Sequence, residues 1–292
     1  MSAFSEGLRF LGAMLTFAAI VTSAIQTSSS AGHAVYDPSL LRTHLLVTFY
    51  GNPHSRAMGV LGQASGEARA AALRAQARAF VPLTDKRVLP AYHLVAVVAQ
   101  PRPGADGMWR RRESRDVIAG LLAEARAHGF HLVLDIQPGH ADLGDELNHL
   151  RPFLAEPDVH LALDPEFDMN EGQAPGRALG HTHALDVNLA TSFLGSLITA
   201  YELPPKVLIV HQFTLGMLPD KPEIVPAPMI DLVLNMDGFG SQSLKLSSYR
   251  TIMRQSPLQF AGIKLFYTID TGLFSPEQVM RLTPEPSVVI YQ

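Results

Sequence analysis

Residues Lys206 to His211 read Lys-Val-Leu-Ile-Val-His, and every residue between the two end positions is apolar. A strand with one exposed face alternates apolar and polar side chains, and this run does not alternate. A second run, Ile230 to Met236, has Leu-Val-Leu at its centre. Strands of this kind are buried on both faces, which is typical of a parallel sheet covered by helices.

Similar short runs recur along the chain and alternate with longer stretches of helical period, which is the pattern of repeated βα units. The predicted strands are His44 to Tyr50, Tyr92 to Ala99, His131 to Ile136, Val159 to Asp164, Lys206 to His211, Ile230 to Met236, Gly262 to Tyr267 and Ser287 to Tyr291. The predicted helices are Gly66 to Phe80, Ser114 to His128, Leu185 to Tyr201, Gln242 to Gln255 and Ser275 to Met280.

Eight strands of this type in roughly 250 residues predict an α/β fold, a parallel eight-stranded (β/α)8 TIM-type barrel. An open doubly wound sheet is the alternative, although its Gly-x-Gly-x-x-Gly turn is absent after the first strand. Because Gln292 directly follows the eighth strand, we expect the final helix to be missing or replaced by residues 35–43. No Pro-, Gly- or Ser-rich linker divides residues 35–292, which predicts one domain.

Charge and cysteine content exclude several classes of function. The chain has 23 Lys and Arg against 27 Asp and Glu, so it carries no excess of positive charge for a nucleic-acid backbone. It has no cysteine, which excludes disulfides, a thiolate nucleophile and a cysteine zinc site. The chemistry must therefore come from carboxylates, histidines, tyrosines or hydroxyls.

The amino terminus has the pattern of a secretory signal peptide over residues 1–34. An apolar run at residues 10–25 follows Arg9, and small residues allow cleavage after Ala31 or Ala34. An uncleaved membrane anchor is the alternative, but the run is shorter than the roughly 20 residues that a spanning helix needs. We therefore expect an exported, secreted or extracytoplasmic protein with no membrane span after cleavage.

Four acidic residues lie at the ends of predicted strands or directly after them: Asp135, Asp164, Glu166 and Asp237. Active sites of such barrels lie at the carboxyl ends of the strands, so these carboxyl groups are expected to meet there. Carboxylates that repel one another raise the pKa of at least one member, which can then serve as a general acid. Glycoside hydrolysis uses such an acid, for which we choose Glu166, with Asp164 behind it and Asp237 or Asp135 opposite.

Further polar and aromatic residues near the strand ends are candidates for substrate contacts. A phenol can stack on a sugar ring, although packing also explains each tyrosine singly. The candidates are Tyr50, Gln137, His211, Gln212, Tyr267, Asp270, Tyr291 and, in the 101–112 loop, Trp109. The connection 165–184 is long for a compact domain, which favours a lid or a wall of the substrate site.

A metal site is the competing interpretation of the same acidic mouth. Asp135, Glu166, His211 and Asp237 could hold a divalent ion, as in a metal-dependent phosphodiesterase-like hydrolase. No His-Glu-x-x-His or other compact metal motif occurs, and His181-x-His183 falls in a loop. We therefore predict no metal and no cofactor. A carbohydrate-binding barrel without catalysis is the third possibility.

Several motifs carry a resemblance to known proteins. They are Tyr50-Gly-Asn-Pro53, Met58-Gly-Val-Leu-Gly62, Asp135-Ile-Gln-Pro-Gly139, Asp164-Pro-Glu-Phe167, His211-Gln-Phe213 and Met236-Asp-Gly-Phe-Gly240. Over residues 44–292 the chain resembles uncharacterised secreted bacterial TIM-barrel proteins and is similar in layout to the glycoside hydrolase barrel superfamily. Asp164-x-Glu166 resembles the motif ending of chitinase-like and muramidase-like barrels, although Val159 to Ala162 replace the earlier aspartates of the chitinase motif. The resemblance implies a carbohydrate substrate.

Overall fold

The computed structural model describes residues 38–254 and 259–292. Its strands are β1 (His44–Gly51), β2 (Arg87–Ala99), β3 (Arg110–Arg112), β4 (His131–Ile136), β5 (Val159–Leu163), β6 (Lys206–Gln212), β7 (Ile230–Met236), β8 (Phe260–Leu265) and β9 (Pro286–Tyr291). Its α-helices are α1 (Gly66–Arg78), α2 (Arg115–Ala127), α3 (Leu143–Leu154), α4 (Ala184–Tyr201), α5 (Gln242–Arg254) and α6 (Pro276–Met280). The predicted signal peptide, residues 1–34, lies outside the described residues.

Eight strands form a closed parallel barrel in the order β1, β2, β4, β5, β6, β7, β8 and β9. Closure is made by β1, which pairs in parallel with β2 on one side and with β9 on the other. The predicted (β/α)8 fold is therefore confirmed, and an open doubly wound sheet is excluded.

The apolar side chains divide into two layers, as the strand period of two requires. Residues such as Leu46, Val133 and Val233 form a small cluster inside the barrel. Their chain neighbours, such as Leu45, Leu132 and Leu232, belong to a larger cluster with the surrounding helices. Each apolar strand is thus buried on both faces, which explains why its sequence shows no alternation.

Three elements differ from the sequence-based expectation. Helix α3 is additional: Asp142 caps it by accepting a hydrogen bond from the Asp145 amide, and Pro152 is tolerated in its last turn. Strand β3 is a short antiparallel addition to the edge of β2. Residues 38–43 do not replace a helix of the outer ring, because Leu41 packs with the cluster inside the barrel. Its amide donates a hydrogen bond to Asp231.

Beyond β6, residues 213–229 contain only two short 3-10 turns, Leu215–Met217 and Lys221–Glu223. Within the described ranges, no helix has the length and apolar character needed to cross a bilayer.

Candidate functional site

Polar side chains from most of the strands meet inside the barrel at the carboxyl ends of the strands. All of them are buried: Tyr50 on β1, His93 on β2, Asp135 on β4, Asp164 after β5, His211 on β6, Asn235 on β7, Asp237 after β7, and Lys264 on β8. Several stand two residues after a side chain of the inner apolar cluster, as Asp135 does after Val133 and His211 after Ile209. The alternation of each strand therefore turns these groups inward.

A chain of charges crosses the middle of this end of the barrel. His211 lies between two carboxylates, with its Nε2 3.5 Å from Asp135 Oδ2 and its Nδ1 3.3 Å from Asp237 Oδ2. Asp237 Oδ1 is 3.1 Å from Lys264 Nζ. Burial disfavours the charge on His211, but Asp237 and Asp135 outweigh it and raise the pKa of His211 to about 10. Burial is likewise outweighed at Asp237, where Lys264 and His211 hold the pKa below its usual range.

His93 faces the other side of Asp135, with its Nε2 3.6 Å from Asp135 Oδ2. Burial lowers the pKa of His93 to about 4, so this imidazole is neutral at pH 7. Within the described part of the chain, both ring nitrogens of His93, both carboxylate oxygens of Asp135 and Nε2 of His211 are buried without a hydrogen-bond partner. The ring of Tyr50 covers this group, since its centroid is 4.9 Å from that of His93 and 6.1 Å from that of His211.

A cleft of about 830 Å³ opens above this buried network. Its polar wall contains Tyr50, Gln137, Asp164, Glu166, Asp237 and Lys264. Its apolar wall includes Met58, Phe167, Phe213, Phe239, Phe266 and Ile269. A concave site with a few convergent polar groups and a large apolar surface is typical of a small-molecule or oligomer binding site.

Two carboxyl groups with raised pKa values stand at the end of β5. Asp164 Oδ2 accepts a hydrogen bond of 3.0 Å from Gln137 Nε2, and Asp164 Oδ1 accepts one of 3.3 Å from the Glu166 amide. Burial, reinforced by the charge of Asp135, raises the pKa of Asp164 to about 7. Burial and the charge of Asp237 also raise the pKa of Glu166, which is partly exposed to the cleft.

The connection that carries Glu166 forms part of the wall of the cleft and is held by backbone hydrogen bonds. The Gly139 amide donates to the Phe167 carbonyl at 2.8 Å, and the Gly180 amide donates to the Glu166 carbonyl at 2.8 Å. A Cβ atom at Gly180 would collide with the Asp168 backbone, so this approach requires glycine. These contacts hold Glu166 at a defined place beside the cleft.

The structure brings together seven of the residues that the sequence proposes for the site: Tyr50, Asp135, Gln137, Asp164, Glu166, His211 and Asp237. Asp135 and His211 lie just beneath the cleft rather than on its wall, because they occupy deeper positions on their strands. The chemical roles proposed for these residues stay predictions.

The structure places Gln212 and Tyr291 away from the cleft, because each stands one residue after an inward-facing position. Gln212 accepts a hydrogen bond from Lys221 Nζ at 3.1 Å. Tyr291 belongs to the outer apolar layer and stacks on Tyr267, with ring centroids 5.2 Å apart. Tyr267 in turn donates a hydrogen bond of 2.8 Å to Gln76 on α1. Gln212, Tyr267 and Tyr291 therefore make their contacts with residues outside the cleft.

Asp270 and Trp109 also lie apart from the polar network. Asp270 accepts hydrogen bonds from the Gly240 and Phe266 amides and pairs with Lys245 at 2.9 Å, so it fixes the loops after β7 and β8. Trp109 lines a separate depression of about 640 Å³, which shares no lining residue with the main cleft.

His93 is the residue of this network that the sequence reasoning misses. It lies in the interior of a predicted strand, where a polar side chain does not by itself indicate a functional site. The available signal is its position between apolar residues in Ala91-Tyr92-His93-Leu94-Val95, since a buried imidazole needs a partner. The sequence reasoning likewise gives no role to Lys264, which stands in the apolar strand β8.

Comparison with known proteins does not identify a family for this chain. No family model matches the chain, and no curated protein matches it. Similar solved structures include the catalytic domain of endoglucanase Cel5A from Thermobifida fusca, with 16% identity over 69% of this chain and 67% of that chain and a TM-score of 0.40. A GH18 chitinase from Pseudoalteromonas aurantia has 12% identity over 85% and 93% of the two chains, with a TM-score of 0.42.

Proposed function

We propose that this chain hydrolyses glycosidic bonds of a polysaccharide, with Glu166 as the general acid. The observation that carries the proposal is that two carboxyl groups, those of Glu166 and Asp237, line one cleft together with several apolar side chains. Burial and Asp237 raise the pKa of Glu166, whereas Lys264 and His211 overcome burial and lower the pKa of Asp237. Two such groups supply a proton donor and a persistent anion at the same pH.

In this mechanism Glu166 protonates the leaving glycosidic oxygen. Asp237 stays ionised and either stabilises the positive charge that develops on the sugar or activates the water molecule that attacks it. Asp164 keeps its proton up to about pH 7 and is held by Gln137, so it adds little negative charge beside Glu166. The phenylalanines that line the cleft offer apolar surface to the C–H faces of sugar rings.

The test is release of reducing ends from a panel of chitin, peptidoglycan, cellulose and soluble β-glucans. We expect the wild-type protein to cleave at least one of them, and Glu166→Gln to lose about 10²- to 10⁴-fold in rate while keeping its circular dichroism spectrum. Glu171→Gln is the matched control, because Glu171 is exposed on the same connection. Binding of a glycan without any cleavage by the wild type would refute the proposal and favour a non-catalytic carbohydrate-binding barrel.

We also propose that the protein is exported, on the basis of the apolar run at residues 10–25 and the small residues after it. The test is the amino-terminal sequence of the protein recovered from its native host. A start at Gly32 or Val35 would support cleavage, whereas recovery of the intact chain in the cytosol would contradict export.

A further inference from the structure

The contacts among His93, Asp135 and His211 are too long to be hydrogen bonds. Asp135 Oδ2 is 3.6 Å from His93 Nε2 and 3.5 Å from His211 Nε2, whereas N–H···O bonds measure about 2.7–3.2 Å. The three side chains have no exposed surface. Buried polar atoms almost always have a partner, because an unsatisfied group costs about 1–3 kcal/mol. His93, Asp135 and His211 are therefore too far apart to form hydrogen bonds with one another, and each has a buried polar atom without a hydrogen-bond partner among the described residues.

This spacing matches the edges of a metal coordination shell. Metal bonds to imidazole nitrogen or carboxylate oxygen are about 2.0–2.2 Å, which puts neighbouring ligand atoms of a tetrahedral site about 3.4 Å apart. One ligand atom from each of the three residues lies within 4.8 Å of the other two. We propose that His93, Asp135 and His211 bind one divalent first-row transition-metal ion, which replaces the proton on His211 Nε2 and releases it to solvent. Two imidazoles with one carboxylate are a donor set that such ions accept.

The surroundings of His211 support this assignment. Metal-binding histidines commonly present their second ring nitrogen to a carboxylate, which orients the imidazole. Here the second nitrogen, Nδ1, is 3.3 Å from Asp237 Oδ2, and Asp237 is held in turn by Lys264. A carboxylate next to the ligand is therefore already in place, and it is anchored by a cation.

The position of the ion would separate it from substrate. The three ligands line no part of the main cleft, and the Tyr50 ring, with Lys264 Nζ 3.5 Å from its centroid, lies over them. The ion would therefore be a structural element under the floor of the cleft, fixing His211 and, through it, Asp237. This role differs from that of the phosphodiesterase-like alternative, in which the metal contacts the substrate.

The test measures metal binding by the full-length chain directly, without any substrate. Protein stripped with chelator is dialysed against zinc, and bound metal is counted by mass spectrometry; Co²⁺ is then titrated and its visible absorption recorded. We expect one ion per chain, a cobalt spectrum typical of four or five ligands, and a rise in Tm of roughly 5–10 °C when free zinc is about 100 times its Kd. Less than one tenth of an equivalent of zinc and an unchanged Tm would overturn the proposal.

Two variants locate the site. His93→Gln should lose the bound zinc, while His160→Gln is the matched control, because His160 is also fully buried on a barrel strand but pairs with His131 at 2.9 Å. Should His93→Gln fail to fold, Asp237→Asn should weaken zinc binding about 10- to 100-fold through the lost support of His211. Retention of zinc by folded His93→Gln, or equal loss in both histidine variants, would refute the site. Failure of the glycosidase proposal would leave these measurements unaffected.

Discussion

Substitution of Glu146 by alanine should destabilise the protein by about 3 kcal/mol. Glu146 lies on α3 without exposed surface and accepts hydrogen bonds from Arg110 Nε at 2.8 Å and Arg112 Nε at 2.7 Å. Removing one partner of a buried ion pair costs about 3–5 kcal/mol, because a charge is left buried and unpaired. We take the low end of this range, since the Arg112 side chain is 33% exposed and Arg110 retains its contact with Asp106.

For a domain of this size, about 3 kcal/mol corresponds to a fall in Tm of roughly 6–12 °C, measured by circular dichroism at pH 7. The matched control is Glu156→Ala. Glu156 pairs with Arg126 at 2.6 Å, an equally short contact, but both side chains are more than 40% exposed. Exposed pairs contribute about 0–1 kcal/mol, so this control should lose no more than roughly 4 °C. Equal losses in the two variants would refute the argument that burial sets the cost.

Three further predictions concern the cleft and its surroundings. Activity should fall as the pH rises through the raised pKa of Glu166, because the acid acts only while protonated; a pH–rate profile that Glu166→Gln leaves unchanged would contradict this assignment. Folded Asp164 holds its proton up to a pKa of about 7, whereas the unfolded chain loses it near about 3.9. As the pH rises between those two values, the contribution of Asp164 to the free energy of unfolding is therefore lost, by at most about 1.4 kcal/mol per pH unit. Urea unfolding should show that the free energy of unfolding of Asp164→Asn rises relative to that of the wild type from pH 4 to pH 7. Tyr291→Phe should leave activity unchanged and the free energy of unfolding unchanged or up to about 1 kcal/mol higher, since its buried hydroxyl has no hydrogen-bond partner among the residues that the structure describes; a loss of activity would place Tyr291 at the cleft.

The sequence predicts the barrel because the patterns that indicate its strands and helices are local. A continuous apolar run such as Val207 to Val210 reports burial on both faces, and eight such runs separated by helical stretches are enough to predict the barrel. Two local features of the sequence predict no regular element where the structure has one. Pro152 argues against helix α3, in whose last turn it lies. Three consecutive arginines argue against strand β3, but Arg110 and Arg112 pair with the distant Glu146, and Arg111 pairs with Glu113.

The sequence by itself also determined that acidic groups follow strands four and six of the barrel, since chain order alone assigns them to strand ends. Only the tertiary structure decided which polar groups share one interior. His211 faces inward and the next residue, Gln212, faces outward, because a single residue of register reverses a side chain. Asp135 contacts His93 on the neighbouring strand β2 and His211 on β6, beyond β5, and the second contact requires the curvature of the sheet to turn β4 and β6 toward one another.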